Sequence, residues 1–79
     1  MTFKIGDFLI WENASKCKMI GVVREIWFNK NKKAYHYHFF AWFVEQDYPP
    51  RHMDLSVESR NFELIDEVQA RLMYDLDIW

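Results

Sequence analysis

The chain has 79 residues, enough for one small domain whose core leaves little margin of stability. Apolar residues make up 51% of it, which argues against disorder, yet no apolar run approaches the roughly 20 residues of a membrane helix. Net charge is only −2, and Cys17 is the single cysteine, which excludes an internal disulfide and a cysteine-rich zinc cluster.

The N-terminal stretch Met1-Thr2-Phe3-Lys4-Ile5-Gly6-Asp7 lacks the apolar core and small-residue cleavage site of a signal peptide. A cytoplasmic, reducing setting is expected. Charge is uneven along the chain. Residues 1–33 hold seven Lys or Arg against three acids, and residues 34–79 hold three Arg against nine acids. If the two halves stay apart in space, the domain has a dipole that steers an anionic partner or stacks copies head to tail; if they interleave, the charges mix into an ordinary solvated surface.

In chain order, Phe3 to Trp11 reads as a strand following a Gly6-Asp7 turn, with Phe8 and Ile10 on one face and Leu9 and Trp11 on the other. Glu12 to Lys18 is a polar loop. Met19 to Asn29 reads as a second strand, rich in β-branched and aromatic residues. Val23 and Ile26 are three apart, so a bulge near Arg24-Glu25 is needed for both to point inward. Asn29-Lys30-Asn31-Lys32-Lys33 is the strongest turn signal, because Asn tolerates left-handed backbone and the lysines stay in water. Ala34 to Val44 forms the longest strand, and Tyr48-Pro49-Pro50-Arg51 closes that region because proline cannot donate to a ladder. Short strands are expected around Leu55-Val57 and Phe62-Leu64. From about residue 67 the period changes: Ile65, Val68, Leu72, Leu76 and Trp79 form one helical stripe, and Asp66 with Gln69 fits a capping box.

The third strand poses the main question. Of the four Trp, four Tyr and seven Phe, eight lie between residues 27 and 44. One face of the strand carries Tyr35, Tyr37, Phe39, Ala41 and Phe43; the other carries His36, His38, Phe40, Trp42 and Val44. From Phe39 onward both faces are apolar, so the face away from the core needs a cover, either the terminal helix or a partner.

Several chemistries fit parts of this stretch. Lys30, Lys32 and Lys33 beside Tyr35 and His36 match a nucleic-acid surface in which rings stack on bases and lysines hold phosphates. Trp11, Tyr35, Trp42 and Tyr48 would form an aromatic cage for a methylated lysine if they converged. His36 and His38 share a strand face and would need His52, or else Asp54 or Cys17, to complete a metal site; a plain surface or interface role is the simpler expectation, and no metal or cofactor is assigned. Cys17 between Lys16 and Lys18 has no base indicated nearby, and no phosphate loop, nucleophile elbow or metalloprotease motif occurs, so an enzyme is not expected. Tyr48-Pro49-Pro50-Arg51 lacks the spacing of a polyproline ligand and reads as a rigid loop.

Phe3-Lys4-Ile5-Gly6-Asp7, then Gly21-Val22-Val23-Arg24-Glu25-Ile26, a lysine-rich turn, Tyr35 to Val44 and Asn61-Phe62-Glu63-Leu64-Ile65 resemble the skeleton of small SH3-like barrels. Tudor and KOW domains share it, and in size and pattern the chain is most similar to SH3 β-barrel proteins of tailed bacteriophages. The resemblance spans residues 3–65. It implies a mainly β fold: a five-stranded SH3-like barrel over residues 1–65, followed by an amphipathic helix over 66–79 packed on the barrel or on a partner. The expected function is a non-enzymatic protein-binding or assembly module, phage-encoded and acting in the host cytoplasm or the virion. Its binding residues would be Trp27, Tyr35, Tyr37, Phe40, Trp42, Leu76 and Trp79, engaging a host or virion protein or a second copy. The alternative is nucleic-acid binding through Lys30, Lys32, Lys33, Tyr35 and His36.

Overall fold

The computed structural model describes residues 3–73. Five strands run β1 (Phe8–Glu12), β2 (Lys18–Asn29), β3 (Ala34–Phe43), β4 (Arg51–Ser56) and β5 (Glu63–Ile65), followed by helix α1 (Glu67–Met73). They form one antiparallel sheet in the order β4-β3-β2-β1-β5. Consecutive strands pair in a meander, and β5 returns to lie beside β1, with Phe8 opposite Ile65. The protein is therefore mainly β with one short helix.

The expected bulge lies between Val23 and Glu25. Val23 faces Phe39 and Glu25 faces His38, so Arg24 is the extra residue. The register shift lets both Val23 and Ile26 pack in the same core. This bend is also tied to the N-terminal turn. Gly6, at φ 95°, donates its N–H to the Val23 carbonyl at 2.8 Å, and Val23 donates to the Asp7 carbonyl at 2.9 Å. The Asp7 carboxylate accepts the Lys4 N–H at 2.9 Å and closes the turn.

Two apolar layers sandwich the sheet. On one face Leu9, Trp11, Met19, Val23, Tyr37, Phe39, Ala41 and Phe62 form the main core. Trp11 lies 4.5 Å from Phe39 and 5.3 Å from Phe62, centroid to centroid, and Phe62 lies 5.5 Å from Tyr37. Gly21 makes this packing possible. A Cβ there would stand 2.8 Å from the Trp11 ring and 2.9 Å from Phe39, so only a bare backbone lets the two rings cross the middle of β2.

On the other face Phe8, Ile20, Val22 and Trp42 form a second cluster that includes Ala70 of α1. The chain's own helix thus covers the second face at that point, as one of the two expected covers. The contact is not the one the period suggests. Ala70 is the fully buried helix residue, while Val68 and Leu72 are 62% and 82% exposed. A small side chain brings the helix backbone close to the sheet, and Val68 and Leu72 face outward.

One further expectation is corrected, and one alternative left open by the sequence is decided. β4 begins at Arg51, four residues before Leu55, because pairing with β3 (Ala41 with Arg51, through His36 with Ser56) extends it back to the prolines. And the basic and acidic halves interleave: β1 and β2 lie between β3 and β5, so the split along the sequence is not a split in space.

Candidate functional site

The free end of the β2–β3 hairpin projects beyond both cores. The side-chain oxygen of Asn29 accepts the backbone N–H groups of Asn31 and Lys32, at 3.0 and 3.2 Å, and so folds the turn. Lys33 completes it in the left-handed region at φ 51°. Lys30, Lys32 and Lys33 are all exposed, and none joins an ion pair among the described residues. Just inside the turn, Phe28 faces Tyr35 with ring centroids 5.1 Å apart, and Trp27 faces His36 at 4.9 Å. Trp27, Phe28 and Tyr35 are 39%, 47% and 54% exposed. Phe28, Lys33 and Tyr35, with Phe3, Val57 and Glu58, line an open cleft of about 580 Å³. Phe28, Tyr35 and Lys33 therefore join aromatic surface to positive charge on one face of the hairpin end, while Trp27 is exposed on the other.

Behind the tip, the outer face of β2, β3 and β4 carries a polar and aromatic ladder. The Trp27 Nε1–H donates to Asp54 Oδ1 at 3.1 Å. His38 Nδ1 lies 3.1 Å from the same oxygen, and His38 Nε2 lies 3.2 Å from His52 Nδ1. The two imidazoles are within 19° of parallel with centroids 5.2 Å apart. His52 also rests against Phe40 at 5.2 Å, and the Arg24 guanidinium stands 5.9 Å over the Phe40 ring. The cross-strand register explains the ladder. His38 is opposite Asp54 and Phe40 is opposite His52, so Met53 and Leu55 turn to the core while His52 and Asp54 turn out.

The expected site residues divide sharply. Trp27 and Tyr35 are at the surface, and Phe40 is half-buried. Tyr37 and Trp42 are each only 1% exposed, one in each core, so neither has surface to present to a partner. Apolar pairing across the sheet claimed them. His36 is buried beneath Trp27, and neither ring nitrogen has a hydrogen-bond partner among the described residues; it has no face left for stacking on a base. Leu76 and Trp79 lie outside the described residues. The methyl-lysine cage is not assembled, since Trp11 and Trp42 belong to opposite faces of the sheet.

The histidines do not form the set first considered. His36 stays with Trp27, whereas His38 joins His52 and Asp54, and among the described residues no three His, Cys, Asp or Glu side chains gather to hold a metal ion. The Cys17 thiol has Ser15 carbonyl and Gln46 amide neighbours, at 3.9 and 3.5 Å, and no histidine. Among the described residues Tyr37 is the one group with a resolved shift in acidity: burial pushes its hydroxyl above the ordinary 10.0, and the Asp7 carboxylate adds to that.

Sequence reasoning named His38, His52 and Asp54 together but missed their link to Trp27, although the alternation His52-Met53-Asp54-Leu55 held its signal. A second cleft, about 720 Å³, lies near Trp11, Lys16, Lys18, Arg60 and Glu63, but its cations alternate with carboxylates and it carries no exposed aromatic cluster. Among the described residues no helix is long and apolar enough to cross a membrane. Comparison with protein-family models, curated proteins and solved structures returns no match for this chain.

Proposed function

We propose that this protein is a non-enzymatic protein-binding module that docks through the end of the β2–β3 hairpin. The observation that carries this reading is the exposure of three rings at the hairpin end, Phe28 and Tyr35 on one face and Trp27 on the other, beside three unpaired lysines. Rings of this kind anchor interfaces by burying large area at low conformational cost, and the lysines orient the encounter. The chemistry selects a partner surface with an apolar pocket rimmed by Asp or Glu. Val68 and Leu72 form a second exposed apolar patch on α1. The strand order, a meander with β5 beside β1, is compatible with the SH3-like resemblance of the sequence, and on that resemblance the partner would be a host factor or a virion protein. The test compares partner recovery by the tagged wild type, by a Trp27→Ala/Tyr35→Ala double variant, and by Lys32→Glu, with and without nuclease. A partner that survives nuclease and is lost with the ring variants is the expected result. Recovery indifferent to the rings would overturn it.

Nucleic-acid binding is the second reading, favoured by the same lysine turn beside the exposed Tyr35. It requires affinity that falls steeply with salt, because each lysine–phosphate contact releases a counterion. Without His36 its surface is reduced to Lys30, Lys32, Lys33, Phe28 and Tyr35. A signal that does not change with salt would sink it.

A further inference from the structure

Independently of the docking surface, we propose that His38 and His52 form a chelating pair for a divalent transition-metal ion of the zinc, nickel or copper kind. Asp54 would act as the carboxylate that holds His38 ready to ligate. The two histidines are diagonal neighbours on the outer face of adjacent strands: His38 pairs with Asp54, and His52 pairs with Phe40, two residues further along β3. Their nearest nitrogens, His38 Nε2 and His52 Nδ1, stand 3.2 Å apart. Two ligands at metal–nitrogen bonds of about 2.0–2.1 Å, set at the tetrahedral angle, are separated by about 3.3 Å. The pair is therefore already at the spacing a single ion imposes. Imidazole nitrogens suit zinc, copper and nickel over the harder calcium and magnesium.

The protonation pattern follows from the neighbours. Trp27 Nε1 can only donate, so Asp54 Oδ1 accepts from it, and the same carboxylate oxygen accepts from His38 Nδ1–H. His38 Nε2 is then the nitrogen with a free lone pair, and it points toward His52. A carboxylate behind a ligating histidine fixes the tautomer and raises the basicity of the metal-binding nitrogen. With no metal bound, His52 Nδ1–H donates into that lone pair. When the ion enters, the proton of His52 shifts from Nδ1 to Nε2, and both lone pairs face the metal with no net proton released. Asp54 stays on the far side of His38, consistent with the absence of a third side-chain ligand among the described residues. Two or more coordination positions are left for water or for a donor from a bound partner. Phe40 walls the pair on one side, and Glu25, opposite His38 on β2, adds negative charge nearby.

A purely structural ladder, stapling edge strand β4 to β3, would bind no ion. The test is calorimetric titration of the full chain, freed of any histidine tag, with zinc, nickel and copper chlorides at neutral pH. One ion per chain is expected. His38→Gln or His52→Gln should each abolish binding, Asp54→Asn should weaken it about 10–100-fold, and Cys17→Ser should leave it unchanged. The unaltered chain gives a second, mutation-free readout. Paramagnetic nickel should broaden the imidazole proton signals of His38 and His52 first, and leave those of His36 sharper. No binding, binding retained in both glutamine variants, binding lost with Cys17→Ser, or broadening centred elsewhere would each overturn the assignment.

Discussion

Trp27 and Asp54 lie 27 residues apart in the chain, yet the indole N–H of one donates to the carboxylate of the other at 3.1 Å. This bond ties the exposed end of β2 to edge strand β4 across β3, and it holds the Trp27 ring over His36 at a tilt of 33°. Trp27→Phe keeps a ring and deletes the donor. The expected loss is about 1 kcal/mol, the net worth of a hydrogen bond that water can replace, read from the urea midpoint. A midpoint equal to wild type would mean that the bond contributes nothing to holding β4.

Trp42→Ala and Trp27→Ala should part company. Trp42 is packed at 6.5 Å from Phe8 in the cluster under α1, and truncating it leaves a cavity that costs about 3–5 kcal/mol. That is a large part of the roughly 5–15 kcal/mol that holds a typical domain. Cooperative thermal unfolding should be lost or sharply lowered. Trp27→Ala loses the Asp54 bond and a partly exposed ring, and should lower the melting midpoint much less than Trp42→Ala. Similar melting of the two variants would contradict the burial pattern.

Gly21→Ala inserts a methyl group at 2.8 Å from Trp11, 2.9 Å from Phe39 and 3.2 Å from Ala41. All three belong to rigidly packed core neighbours, so relief requires moving rings or strands. Overpacking of this kind costs about 1–3 kcal/mol, outweighing the roughly 0.5–1 kcal/mol that alanine normally gains over glycine within a strand. Chemical denaturation should show a lower midpoint; a higher one would show that the ring stack yields easily.

Stability should fall at alkaline pH through Tyr37. Burial and the nearby Asp7 raise its folded pKa above the unfolded 10.0. The neutral form is thus favoured on folding, and its contribution is complete below pH 10.0 and lost as pH rises through the raised value. The urea midpoint should decline above that pH, and Tyr37→Phe should make the decline shallower whatever its effect at neutral pH. Equal slopes for the two proteins would refute the assignment.

On α1, Ala70→Asp places a carboxylate against Phe8, Ile20, Val22 and Trp42 and should detach the helix or unfold the protein. Leu72→Ser, on the exposed side, should change stability by no more than about 0.5 kcal/mol. Circular dichroism melts of both variants check this. Equal damage from the two would mean that the outward stripe is buried after all.

The local features were legible because each is written within a few residues. The Asn29–Lys33 turn follows from asparagine and lysine chemistry, the bulge at Arg24 from the three-residue spacing of Val23 and Ile26, and the two faces of β3 from strict alternation. Start of the helix at Glu67 follows from the change of period after Ile65. Alternation says which residues share a face; it does not say what lies against that face. Burial of Tyr37 and Trp42, the choice of Ala70 over Val68 and Leu72, and the interleaving of basic and acidic halves all depended on packing between distant segments. The meeting of His38 with His52 and Asp54 depended on the register between β3 and β4, since a slip of one residue would have turned both outer side chains into the core. By itself, then, the sequence determined the strands, turns and faces of this protein through local backbone preference and period. Only the tertiary structure decided which aromatics became core, which remained surface and which histidines met, because those outcomes follow from long-range pairing and close packing.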